Sequence, residues 1–125
     1  MAETFSGRLA VIGMGYIGLP TAVVLATRGV DVVGVDVNPS VVDAIENGHV
    51  PLIEPDLAVG VSGAVAMGRL KASTDTPEAD AYIIAVPTPF NSDHTADLSY
   101  VRSAVEQIAP KLHGGEVIVV ESTSP

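Results

Sequence analysis

The chain has 125 residues, 15 of them acidic and 6 basic, for a formal net charge of −9. That length suits one domain with one core, and that charge argues against a broad nucleic-acid contact and against adsorption to an anionic membrane. There is no cysteine, which removes disulfides, thiolate metal sites and a thiol nucleophile from these residues.

Hydrophobic residues make up 47% of the chain but aromatics only 4%. The core must therefore be built from Val, Ile, Leu and Ala, as in a parallel sheet covered by helices. The first residues show no basic stretch followed by an apolar one, so no secretory signal is read. No uninterrupted apolar run approaches the roughly 20 residues of a membrane span. A soluble cytoplasmic protein is expected.

Leu9 to Ile12 is an apolar run that predicts a strand buried on both faces. It leads into Gly13-Met14-Gly15-Tyr16-Ile17-Gly18, with the spacing G-x-G-x-x-G. An apolar helical stretch follows, from about Tyr16 to Arg28. Each glycine has its own task. Gly13 allows the tight turn, Gly15 lets a pyrophosphate approach the backbone, and Gly18 lets the helix pack closely on the sheet. The free N–H groups and positive dipole end of the helix then meet the ligand's charge. The amides of Tyr16 and Ile17 would face it, with their side chains as packing groups. An ordinary tight turn is the plainer alternative.

A second strand, Val32 to Val35, ends at Asp36. There a carboxylate would accept hydrogen bonds from an adenosine ribose and repel a 2′-phosphate. NAD is thus expected rather than NADP. A simple cap of the strand end or of the next helix is the other role open to Asp36.

Asn38-Pro39-Ser40 opens a short helix to about Glu46, stopped by Asn47-Gly48. A loop from His49 to Pro55 follows. Glu54-Pro55-Asp56 reads as a helix start, with Leu57, Val61 and Ala64 on one face. Gly60 and Gly63 count against a helix there. Leu70 to Ser73 predicts a short edge strand, and Ala81 to Val86 a buried one. Pro87 to Asp97 is a polar loop. Asp97 then caps a helix whose stripe is Leu98, Val101, Val105, Ile108 and Leu112, with Pro110 ending or kinking it. Gly114-Gly115 turns into a last strand, Val117 to Val120.

This alternation predicts a Rossmann-type doubly wound parallel sheet in the order 3-2-1-4-5, truncated before the sixth strand of a complete dinucleotide fold. The fifth strand is then an open apolar edge that invites pairing with another chain. A homo-oligomer, or a place within something larger, is expected.

Thr88 leaves the fourth strand at the topological switch point, near the expected nicotinamide end of a dinucleotide. Ser122 and Thr123 leave the fifth strand on the same rim, where they would position a water or a substrate group, or merely satisfy the strand end. Asp93, His94 and Asp97 share a loop but read as a solvated polar loop, not a metal site. His49 and His113 are given no role.

Five segments now stand in order: Val11 to Pro20, Val35-Asp36, Glu54 to Leu57, Ala85 to Phe90 and Glu121 to Pro125. Together they resemble the amino-terminal domain of the NAD-dependent UDP-sugar 6-dehydrogenases. Pro87-Thr-Pro-Phe90 with Asp93-His94, and Glu121-Ser-Thr-Ser-Pro125, most resemble the UDP-N-acetylmannosamine branch. The resemblance covers essentially the whole chain. It implies a two-step oxidation of a UDP-sugar C6 alcohol to a carboxylate, reducing two NAD. By position, Tyr16 and Ile17 would line the pyrophosphate, Asp36 would hold the ribose, Thr88 would lie near the nicotinamide, and Thr123 would hold a water near the reacting carbon.

The resemblance also implies a cysteine for the second oxidation, and a lysine and an asparagine in a later substrate domain. These residues are lacking here. The sequence therefore reads as the NAD-binding domain, residues 1–125, of a longer enzyme. It is expected to carry no catalytic residue of its own. Two other readings share the glycine loop: a 3-hydroxyacid or 6-phosphogluconate type dehydrogenase, and a non-enzymatic NAD-sensing regulatory domain.

Overall fold

The computed structural model describes residues 6–50, 55–89, 91–93 and 95–121. Five parallel strands are β1 (Arg8–Ile12), β2 (Asp31–Val35), β3 (Leu70–Ser73), β4 (Ala81–Ile84) and β5 (Val117–Val120). They lie in the order β3-β2-β1-β4-β5, as the alternation of elements predicts. The helices are α1 (Gly18–Thr27), α2 (Pro39–Glu46), α3 (Pro55–Ala66) and α4 (Ser99–Ile108).

The core has two halves, one on each face of the sheet. Alternate residues of β1 feed both. Leu9 and Val11 join Leu19, Ala22, Val23 and Ala26 of α1, and Leu57, Val61 and Ala64 of α3. Ala10 and Ile12 join Tyr82, Ile84, and Ala104 and Ile108 of α4. α3 forms although it contains Gly60 and Gly63, and Gly60 admits α1 close against it: a Cβ there would lie 2.6 Å from Val23 Cγ1. Tyr82 is fully buried. Its hydroxyl accepts from the Ala79 N–H at 3.0 Å and donates to the Pro77 carbonyl at 2.9 Å. Burial pushes its pKa up.

Several expectations need correction. α1 begins at Gly18, because Tyr16 and Ile17 form a turn, although Leu19 N–H already bonds the Gly15 carbonyl at 3.2 Å. β4 ends at Ile84. The Ala85 N–H still bonds the Ile12 carbonyl at 2.8 Å, but Val86 leaves the ladder. Of the stripe expected on α4, Ile108 is buried and Val101 half-buried, but Val105 is exposed, as are Leu98 and Leu112 beyond the helix ends. Ala104 is buried in place of Val105. β5 is the expected open apolar edge, exposed along its whole length.

Candidate cofactor site

The site lies at the carboxyl ends of β1, β2 and β4. Gly13 leaves β1 with φ = 100°, a left-handed value that favours glycine. A Cβ on it would come 2.7 Å from the Ala85 carbonyl oxygen. Its N–H bonds the Val35 carbonyl at 2.7 Å, so the loop is pinned between β2 and β4. A Cβ on Gly18 would collide with the Gly13 carbonyl oxygen and meet Ala85 Cβ at 3.3 Å. The close approach at Gly18 is thus to the loop itself as much as to the sheet. Over Gly15 there is open space: a Cβ there would have nothing within 4 Å.

Between these glycines the side chains diverge. Met14 is buried against β2, where a Cβ on Gly34 would lie 2.5 Å from its Sδ. Ile17 packs on the α1 side of the core. Tyr16 is 80% exposed and packs nothing, contrary to the expectation from sequence. The N–H groups of Gly15, Tyr16 and Ile17 have no acceptor among the described residues. They stand at the positive end of α1, where an anion is stabilised.

Asp36 follows β2 directly and is half-buried. Its Oδ2 accepts from the Met14 N–H at 3.0 Å, and its Oδ1 from the Asn38 N–H at 3.0 Å. One backbone bond on each oxygen fixes the carboxylate. A carboxylate has about four acceptor sites, so each oxygen keeps one for a ligand. The vicinal hydroxyls of a ribose match that pair.

Two cavities meet at Val86. The first, about 100 Å³, is walled by Ile12, Val35, Val37 and Ala104, with Asp36 at its rim and Tyr100, Ser103 and Gln107 of α4 across it. It is mostly apolar, as suits a purine ring. Thr76 donates its hydroxyl to Gln107 Oε1 at 3.1 Å and holds that side chain in place. The second, about 280 Å³, is bounded by Gly15, Tyr16 and Ile17 of the loop, Ala85 to Pro87 after β4, and Glu121 after β5.

Thr88 is half-buried just beyond Pro87, and lines neither cavity. Thr123, Ser122, His94 and Glu54 lie outside the described residues. Asp93 and Asp97 are engaged locally. Asp93 Oδ1 accepts from the Thr95 hydroxyl and N–H, and Asp97 Oδ1 from the Ser99 N–H at 2.9 Å. Sequence reasoning missed Tyr100, Ser103 and Gln107. Their spacing with Ala104 puts all four on one face of α4, a signal open to inspection. It also missed Glu121 as a wall of the second cavity.

Residues 7–125 match the model of the UDP-glucose/GDP-mannose dehydrogenase family, NAD binding domain. The chain belongs to that family. It is 54% identical over 117 residues to the UDP-N-acetyl-D-mannosamine dehydrogenase of Escherichia coli K12, a match covering 94% of this chain and 28% of that protein. It is 51% identical to the NDP-N-acetyl-D-galactosaminuronic acid dehydrogenase of Ralstonia nicotianae, with the same coverage. Among solved structures, the UDP-N-acetyl-mannosamine dehydrogenase of Staphylococcus aureus superposes with a TM-score of 0.90 at 45% identity. That match covers 93% of this chain and 29% of that one. The chain thus spans under a third of each of these three relatives. As an NAD-binding domain of this family, it has NAD as its cofactor. No described helix is long and apolar enough to cross a membrane.

Proposed function

We propose that this chain holds NAD for an enzyme that oxidises UDP-N-acetylmannosamine. The observation that carries the cofactor's placement is the Asp36 carboxylate, fixed by Met14 and Asn38 with one acceptor site left on each oxygen. On this reading the adenine enters the cavity beside Tyr100, Ser103 and Gln107, and its ribose diol bonds Asp36. The pyrophosphate takes the N–H groups at Gly15, Tyr16 and Ile17, over the open face of Gly15. The loop glycines Gly13 and Gly18 keep those groups in place. The other half of the cofactor passes toward Thr88 and Thr123.

NAD supplies the hydride acceptor when bound. The residues of this chain bind and orient it. The substrate rests on the two relatives named for UDP-N-acetylmannosamine. In the whole protein the C6 alcohol would become a carboxylate in two oxidations. The residues for that chemistry would lie in a substrate domain beyond the 125 residues. Self-association belongs to the same proposal, because β5 is an edge strand with four exposed apolar residues.

Calorimetric titration with NAD and with NADP tests the cofactor. NAD should bind and NADP should bind far more weakly. Equal affinity would remove Asp36 from the ribose. With NAD and UDP-N-acetylmannosamine together, the 125-residue chain should produce no NADH. Measurable turnover would place catalytic residues within it. Sedimentation at high concentration as a clean monomer would remove the self-association.

A further inference from the structure

Glu121 is the single charged side chain among the described residues that line the second cavity. It stands at the end of β5, where its N–H bonds the Ile84 carbonyl at 2.8 Å. Its Oε1 accepts the hydroxyl of Thr21, one turn into α1, at 3.0 Å. The Thr21 N–H in turn bonds the Ile17 carbonyl at 3.2 Å. The carboxylate is therefore tied to the helix that carries the glycine loop, across 100 residues of sequence. It is half-buried, so solvent screens it only in part.

The adenosine end of the cofactor is committed to the first cavity by Asp36, and the pyrophosphate to the loop. The remaining half must then leave on the side of Ala85 to Pro87, into the cavity that Glu121 walls. The oxidised nicotinamide ring carries a positive charge there and the reduced ring carries none. We propose that Glu121, held by Thr21, binds the oxidised cofactor in preference to the reduced one through that charge. The inference rests on the NAD placement proposed above. In this arrangement Glu121 touches the cofactor's cavity and Thr21 is a positioning residue.

The test titrates the 125-residue chain and its Glu121→Gln variant with NAD+, NADH and ADP-ribose. Gln keeps the size and an acceptor for Thr21 but removes the charge. NAD+ should weaken about three- to tenfold, while NADH and ADP-ribose change by less than about twofold. Unchanged ADP-ribose binding shows that the variant is folded and its adenosine end intact. Equal changes in NAD+ and NADH, or no change in either, overturn the role of the charge. Thr21→Val should move the NAD+ to NADH ratio in the same direction by a smaller factor, and an unmoved ratio would remove Thr21 as the positioning residue. Wild-type chain that binds none of the three ligands overturns the cofactor placement itself, and this inference with it.

Discussion

The thioether of Met14 occupies the space that a side chain on Gly34 would need. The Sδ atom lies 2.5 Å from the position of a Cβ there, and Met14 is 1% exposed. The second residue of the glycine loop is thus seated on the middle of β2. That seat brings the Met14 N–H to Asp36 Oδ2, so strand, loop and carboxylate form one rigid unit.

Gly34→Ala should therefore reach the cofactor site from inside the core. The added methyl group displaces Met14, and overpacking of this kind costs about 1–3 kcal/mol. NAD affinity should fall with stability, because the Met14 amide moves too. Met14→Ala added to Gly34→Ala should recover part of both losses, a coupling that a double-mutant cycle reads directly. Purely additive losses in denaturation and NAD titration would show that the two residues do not compete for this space.

Asp36→Ala removes the acceptor of two backbone N–H groups as well as the proposed ribose contact. Loss of a charged hydrogen bond to the ribose should weaken NAD by about 1–3 kcal/mol. Asp36→Asn keeps an oxygen for one of the backbone groups and should retain more stability than Ala. Calorimetry separates the two effects, since stability follows the Met14 and Asn38 bonds while affinity follows the charge. An Asn variant with full NAD affinity would contradict the ribose role.

Acid should loosen the polar ends of the fold before its core. The Ser99 hydroxyl, and then its N–H, hold Asp97 below the usual carboxylate range. The His113 N–H does the same for Glu116. For each, the folded pKa lies below the unfolded one, so the unfolded chain binds more protons in between. Their stabilising contribution is complete above about pH 5, clear of the unfolded values, and is lost as pH falls through the folded values. Thermal melts of wild type, Asp97→Asn and Glu116→Gln between pH 7 and pH 3 check this. The gap in Tm between wild type and each variant should close toward pH 3. A gap constant with pH would contradict it.

Most of the sheet was legible because buried parallel strands announce themselves as apolar runs between breakers. Leu70–Ser73 and Val117–Val120 appear with the expected limits. β4 ends before its apolar run does, because Val86 is apolar for another reason: it walls both cavities rather than pairing in the ladder, while Ala85 keeps one bond to β1 and walls the second cavity. The stripe on α4 is legible at Val101 and Ile108 but not at Val105, because periodicity alone cannot weigh the small Ala104 against the larger Val105. The open edge at β5 follows from the strand order rather than from Val-Ile-Val-Val itself, since burial depends on what packs beside a strand. At the candidate site, the spacing of the glycines and Asp36 is a local pattern. The Met14 amide on Asp36 and the Thr21 hydroxyl on Glu121 are not, because each joins residues that only the folded backbone brings together.

The strand order has a consequence in time. β1, at the centre of the sheet, pairs with β2, its next strand in sequence, and with β4, which comes much later. The glycine loop and Asp36 both leave the ribosome within the first βαβ unit, whereas the walls after β4 and β5 are made later. Pairing over such separations is slow. During synthesis the ribose end of the site would exist before the far end has walls. NAD supplied to a nascent chain should therefore gain a firm hold only once β5 has docked.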